Sequence, residues 1–268
     1  VQDAGRHLLG RRGRKLRRLA REMVEVAALI TGANKGIGFE TARILGSGGR
    51  TVLIGARSAE RGEKAAAELA GEGIDARFVR VDVTDQATVQ AAAEWIDAEY
   101  GRLDILVNNA GITSTDAADH GRSTPPSRTT VEQVRETFET NVFGVVAVTN
   151  AMLPLLRRSP AGRVVNVSSE LGSLALHSDP SAPVYGTNLL PYNTSKSALN
   201  AVTVAYAKEL AGTSVTVVAA APGYCATDLN GHTGFRTPVQ GATVIAGAAA
   251  GGDAPNGAFV AEAGPVPW

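Results

Sequence analysis

The sequence predicts an α/β fold, a single-domain doubly wound parallel sheet of about seven strands with helices on both faces. Three observations predict it. Short apolar runs alternate with helical stretches of roughly 10–15 residues along most of the chain, the pattern of βαβ units. The first apolar run, Val26–Ile30, passes directly through a glycine-rich turn into a helical pattern. No internal repeat or interdomain linker divides the 268 residues, a length that fits one large α/β domain.

The elements follow in order. Thr31-Gly32-Ala33-Asn34-Lys35-Gly36-Ile37-Gly38 is the glycine turn, and Phe39–Leu45 continues as helix. Strand, glycine turn and helix make a Rossmann-type βα unit. Its glycines let the backbone approach a dinucleotide pyrophosphate, and the helix start favours negative charge. Gly46–Gly49 stops that helix. Thr51–Gly55 reads as a strand, and Ser58 caps a helix over 59–70. Ala76–Val81 is a third strand. Thr84 or Asp85 caps a helix to Tyr100, which Gly101 ends. Leu103–Val107 is a buried strand. Residues 113–128 are turn-rich and read as a loop. Thr129-Thr130-Val131-Glu132 reads as a capping box opening a long helix to Leu156, bent near Pro154. Arg163–Val167 is a strand, 170–188 an irregular stretch, and Pro191–Leu210 a helix stopped by Gly212. Ser214–Ala219 is a strand, 223–236 a loop, Val239–Ala249 a helix and Ala258–Val260 a last strand.

Composition narrows the function classes. Hydrophobic residues make up 44% and charged residues 19%, as in a soluble globular protein with a sizeable core. No apolar run reaches the roughly 20 residues of a membrane span, so no membrane partner is expected. The single cysteine, Cys225, excludes an internal disulfide and fits a reducing cytoplasm, where the protein is expected. One Cys and four His give no zinc set, so no metal is expected. The net charge of zero hides a basic arm. Arg6, Arg11, Arg12, Arg14, Lys15, Arg17, Arg18 and Arg21 stand against Asp3 and Glu22 in residues 1–22. Met23 precedes the first strand, which predicts a domain over 23–268 with the arm outside the fold. An appended extension without function is the expected reading. Targeting and binding of an anionic partner, nucleic acid included, are the alternatives.

Two further features carry chemistry. Tyr192 and Lys196 stand four apart in a helix and share a face. An ammonium beside a phenol favours the phenolate and lowers its pKa, suiting Tyr192 to move a proton to or from a carbonyl oxygen. Ser169 follows a parallel strand, at the sheet edge where such folds bind ligands. Its hydroxyl can hydrogen-bond a substrate oxygen as charge develops. Ser168 is a second candidate for that position. Tyr185 has Leu189 at i+4 and no lysine.

The whole set resembles the short-chain dehydrogenase/reductase family in its compact one-domain form. The matching residues are Gly32, Gly36 and Gly38 in T-G-x-x-x-G-x-G, Asp82, Asn108-Asn109-Ala110-Gly111, Asn141, Ser169, Tyr192 and Lys196 in Y-x-x-x-K, and Pro222-Gly223. They occur in the family's order over 23–268. Pro222–Asp228 and the ending Gly264–Trp268 resemble the carbonyl-reductase-like members. The resemblance implies that Lys196 also holds the nicotinamide ribose and that Asn141 distorts its helix and keeps a proton-relay water. It places Asp82 and Val83 near the adenine, Thr227 near the nicotinamide, and Asn34, Ile37, Asn109, Ala110, Gly111, Pro222 and Gly223 along the cofactor.

The cofactor choice is read at the end of the second strand. An acid there holds the ribose 2′-hydroxyl of NAD. Here Ala56 stands in that place, and Arg57 follows. Arg57, with Lys35 from the glycine turn, suits a 2′-phosphate, which predicts NADP. The expected function is an NADPH-dependent oxidoreductase acting on a small-molecule ketone, aldehyde or secondary alcohol. A non-catalytic NADP-binding sensor is the alternative. The 23 residues from Ser169 to Tyr192 exceed the family's usual spacing, which leaves monomer and homo-oligomer both open. Leu171, Leu174, Leu176, Tyr224, Leu229 and Phe235 lie in loops expected to shape the substrate pocket.

Overall fold

The computed structural model describes residues 27–113, 125–252 and 254–268. The basic arm 1–22, Met23 and most of the expected 113–128 loop lie outside the described residues.

Eight strands form one sheet: β1 (Ala27–Thr31), β2 (Thr51–Ala56), β3 (Ala76–Arg80), β4 (Ile105–Asn108), β5 (Arg163–Val167), β6 (Thr216–Ala220), β7 (Phe259–Ala261) and β8 (Gly264–Pro265). Their spatial order is β3-β2-β1-β4-β5-β6-β7-β8. Every pairing is parallel except the last, where β8 folds back antiparallel on β7. The about seven strands expected thus become eight, because a two-residue strand falls below what sequence periodicity can register.

The strands are almost uniformly apolar because both faces are covered. On one face α1 (Gly36–Ser47), α2 (Ala59–Gly71) and α8 (Pro238–Ala249) pack Phe39, Leu45, Leu69 and Ile245 against Ile30, Ile54 and Val165. On the other, α3 (Gln86–Tyr100), α5 (Gly144–Leu156) and α7 (Leu190–Glu209) pack Ile96, Val148, Met152 and Ala207 against Leu29, Leu106 and Val217. Each fully buried Leu or Ile contributes about 1.5–3 kcal/mol relative to an exposed one. The chain leaves β1 towards β2 on one side and returns to β4 on the other. The strand order therefore reverses between β1 and β4, and their carboxyl ends open the crevice where such sheets take ligands.

Local corrections have local causes. The capping box before α4 (Val131–Phe138) is Thr130 with Gln133, one residue later than the expected Thr129–Glu132 pair. A second box, Thr237 with Gln240, opens α8. A short helix α6 (Leu174–Ser178), capped by Ser173, lies inside the stretch expected to be irregular. Five residues are too few for a periodic signal. The combined run Val131–Leu156 is long and apolar enough to cross a membrane by length and composition. The expectation of no such segment counted unbroken apolar runs only. Half of this run's apolar window is buried inside the protein, with Val145, Val148, Met152, Leu155 and Leu156 turned inward.

Candidate active site

The glycine turn is held by the crevice it lines. Thr31 Oγ1 accepts the N–H groups of Asn109 and Ala110 at 3.0 and 3.1 Å. Asn109 Nδ2 donates to Thr31 O at 2.8 Å, so the ends of β1 and β4 are stitched together. Gly32 and Gly36 adopt φ of 66° and 60°, a region open to glycine. A Cβ on Gly38 would sit 2.4 Å from Asn109 Nδ2, so this position is closed to any side chain. Asn34 and Ile37 are half-buried in the same turn. Lys35 is the N-cap of α1 and makes no side-chain cap, which leaves the helix start to an anion.

The adenosine end fits a 2′-phosphate. Ala56 is buried with its carbonyl taking the Val81 N–H at 3.1 Å. Arg57 is exposed and makes no ion pair among the described residues. The Asp82 carboxylate takes the Thr84 N–H and O–H, at 3.0 and 2.8 Å. Val83 lies against Gly144 of α5. Lys35, expected beside Arg57, is instead paired with Asp228. Sequence reading had no means to place a partner 193 residues away.

The proton-handling groups gather from three elements. Ser169 follows β5 in an extended conformation, and its hydroxyl caps a short turn by accepting the Leu171 N–H at 3.2 Å. Tyr192 lies in the first turn of α7, near enough to Ser169 for the serine hydroxyl to act on the phenol. Lys196, one turn on, is buried, donates to Val167 O at 2.8 Å and has Nζ 5.6 Å from the Tyr192 ring centre. Ser168 is turned away to Asn200 Oδ1, at 2.6 Å, which leaves Ser169 as the serine facing Tyr192.

The electrostatics differ from the sequence expectation. Burial pushes the Tyr192 phenol up to about 12, with the Ser169 hydroxyl pulling in the opposite direction. Burial also brings Lys196 down to about 8. The expected lowering of the phenol by the ammonium does not appear. Removal from water outweighs it, and the ammonium is engaged by the Val167 carbonyl.

Asn141 does distort its helix: Glu139–Phe143 is a π-turn between α4 and α5. The bend turns a fully buried amide onto the segment after β4. Asn141 Oδ1 accepts the Ile112 N–H, and Nδ2 donates to Ile112 O, both at 2.9 Å. Nδ2 also donates to Ser195 Oγ at 3.0 Å, which ties α7 to the same point. A Cβ on Gly111 would lie 3.4 Å from Asn141 Oδ1 and 3.6 Å from Lys196 Nζ. A side chain at Gly111 would therefore touch both groups.

On the other side of the crevice, Pro222 is buried and Gly223 turns with φ 78° into the 223–236 loop. The loop brings Thr227 back to the glycine turn, its Cγ2 lying 3.7 Å from a Cβ placed on Gly36. Tyr224 and Phe235 meet with ring centres 6.1 Å apart, and Phe235 is 85% exposed. Leu174 and Leu229 are also exposed, whereas Leu171 and Leu176 are half-buried.

Several supporting residues had no role assigned from the sequence. Asn108 Nδ2 donates to Thr149 Oγ1 and Asn166 Oδ1, and Asn166 Nδ2 to Thr203 Oγ1, a buried chain from α5 through β4 and β5 to α7. Asn200 Nδ2 donates to Gly172 O at 3.1 Å and holds the Ser169 turn on α7. Asn200 stands four residues after Lys196, so helical spacing already put it on the same face.

The glycine turn, the uncapped helix start and the Ser169–Tyr192–Lys196 cluster coincide with the family model for short chain dehydrogenases, which matches residues 26–234. The chain belongs to the short-chain dehydrogenase/reductase family. It is 40% identical over 231 residues to short-chain dehydrogenase anuI of Penicillium roqueforti, covering 84% of this chain and 88% of that protein. It is 30% identical to carbonyl reductase [NADPH] 1 of Rattus norvegicus, covering 90% and 98%. The NADPH-bound carbonyl reductase from chicken fatty liver superposes with a TM-score of 0.77 at 25% identity, covering 91% of this chain and 99% of that one. This short-chain reductase is an NADPH-dependent oxidoreductase of carbonyl and alcohol groups, carbonyl-reductase-like, acting on small molecules.

Proposed function

We propose that Tyr192 is the general acid/base, Ser169 orients the substrate oxygen, Lys196 supports Tyr192 and holds the cofactor ribose, and Asn141 supports a proton relay. The observation that carries this reading is the gathering of Ser169, Tyr192 and Lys196 at the carboxyl end of β5, with Lys196 Nζ bonded to Val167 O and 5.6 Å from the Tyr192 ring centre. Bound NADPH supplies the hydride. Gly32, Asn34, Gly36, Ile37 and Gly38 hold the pyrophosphate; Arg57 holds the 2′-phosphate. Asp82 and Val83 border the adenine, and Asn109, Ala110, Gly111, Pro222, Gly223 and Thr227 line the rest of the cofactor. Lys35, from the same glycine turn, is assigned to the 2′-phosphate as well, in exchange for its pairing with Asp228.

In the reductive direction, Tyr192 gives its proton to the carbonyl oxygen while Ser169 donates a hydrogen bond to it. A phenol held at about 12 stays protonated at neutral pH, the state an acid needs. Lys196 at about 8 stays largely charged at neutral pH, so it can return a proton to Tyr192. We assign the next donor to a water held between Asn141 and Lys196, the two groups that flank Gly111. Alcohol oxidation runs the same steps in reverse. The exposed Leu174, Tyr224, Leu229 and Phe235 favour an apolar ketone, aldehyde or quinone as substrate. The single, buried Cys225 supports the cytoplasm as the place of action. A panel of ketones, aldehydes and quinones, followed by loss of NADPH absorbance, tests the reading. Turnover of apolar carbonyls is expected. NADPH binding without turnover of any of them would overturn the catalytic assignment.

A further inference from the structure

One ion pair crosses the crevice. Lys35 Nζ, from the glycine turn, is bonded to Asp228 Oδ2 in the 223–236 loop, and both side chains are more than half exposed. The other oxygen, Asp228 Oδ1, is 2.7 Å from His232 Nε2. His232 has φ 61°, the one described non-glycine residue in the left-handed region. Its N–H donates to Thr227 O at 2.9 Å. Asp228 is thus held from behind by His232, while Lys35 has no second ion pair among the described residues.

Lys35 has a second place to go. Ala33, two residues before it, donates its N–H to Gly55 O at 3.1 Å, and Thr31 pairs with Gly55 in the sheet. Arg57 lies two residues beyond Gly55. These bonds hold the glycine turn that carries Lys35 against the end of β2, which Arg57 follows, while Lys35 itself pairs with Asp228 and Arg57 has no ion pair among the described residues. A dianionic phosphate at Arg57 and the carboxylate of Asp228 compete for one ammonium.

We infer that Asp228 is a specificity-determining residue that competes with the 2′-phosphate of NADP for Lys35 and so sets how strongly the protein prefers NADPH over NADH. The inference rests on the cofactor reading above. Asp228 weakens NADPH binding, because the Lys35–Asp228 pair has to open before Lys35 reaches the phosphate. NADH has no 2′-phosphate and leaves the pair closed. Asp228 therefore holds the selectivity below what Lys35 and Arg57 alone would give.

Titration calorimetry with NADPH and with NADH, without substrate, tests this on the whole chain. Asp228→Asn should tighten NADPH about two- to five-fold, the range set by an exposed ion pair, and leave NADH nearly unchanged. Lys35→Met should weaken NADPH, and Asp228→Asn added to it should no longer change the NADPH-to-NADH ratio. Both side chains lie on the surface, so circular dichroism should show folded variants. An unchanged ratio in Asp228→Asn, or equal weakening of both cofactors, would overturn the inference while leaving the cofactor reading in place. Failure of the unaltered protein to bind either cofactor would overturn both.

Discussion

Asn141 brackets the backbone of Ile112, accepting its N–H and donating to its carbonyl, and the π-turn in the helix exists at the point where this double contact is made. One amide thereby fixes the segment that follows Asn109, Ala110 and Gly111, and through Ser195 it also fixes the helix carrying Tyr192 and Lys196.

Replacing Asn141 by Ala should therefore cost both stability and turnover. It strands the part-buried N–H and carbonyl of Ile112 and loses the buried Ser195 contact, about 1–3 kcal/mol. Urea unfolding and steady-state kinetics on the same variant check this. A kcat that falls with stability unchanged would confine Asn141 to the chemistry, contrary to its bonding.

Tyr192→Phe removes the hydroxyl and keeps the ring. It should lower kcat about 10²–10⁴-fold, the usual contribution of a positioned acid, while NADPH still binds. Calorimetry and the NADPH absorbance assay separate the two effects. Retained turnover would remove Tyr192 from the mechanism.

Charge reversal at Arg57 probes the adenosine end. Arg57→Asp should weaken NADPH roughly 10–100-fold, the loss of a charge-assisted bond, and affect NADH far less. The ratio of dissociation constants is the readout, and an unchanged ratio would count against the 2′-phosphate assignment.

Stability should also depend on pH in a direction set by Lys196. Burial lowers its folded pKa from 10.5 to about 8, so between these values the unfolded chain binds more protons than the folded one. Unfolding free energy attributable to Lys196 therefore rises with pH across that window. Tyr192 acts oppositely above pH 10, where the unfolded phenol ionises and the folded one, held at about 12, does not. Compared with Lys196→Met, the unaltered protein without cofactor should gain stability from pH 8 to 10. A flat difference would show that Lys196 is not desolvated.

Gly172 offers a packing test. A Cβ there would lie 2.7 Å from the carbonyl carbon of Lys196 and 2.8 Å from its Cβ. Gly172→Ala should cost about 1–3 kcal/mol by overpacking and push the Ser169 turn off α7. A lower melting temperature together with a raised KM for the carbonyl substrate is the expected pair of results.

The sequence by itself determined the order of elements, the glycine turn and the catalytic candidates. Those features are local: apolar runs, turn residues and spacings along one helix carry them. Gly32, Gly38 and Tyr192 with Lys196 could be found because each requires a particular residue type at a fixed offset. Ala56 with Arg57 made the cofactor legible for the same reason. Only the tertiary structure decided how the groups share an environment. The Lys35–Asp228 pair joins segments 193 residues apart, and no periodicity reports such a pairing. The Tyr192 phenol rises instead of falling because burial, which belongs to the whole fold, outweighs one nearby ammonium. The work of Asn108, Asn166 and Asn200 likewise appears only when strands and helices from separate parts of the chain pack, since a buried amide is defined by the partners that reach it.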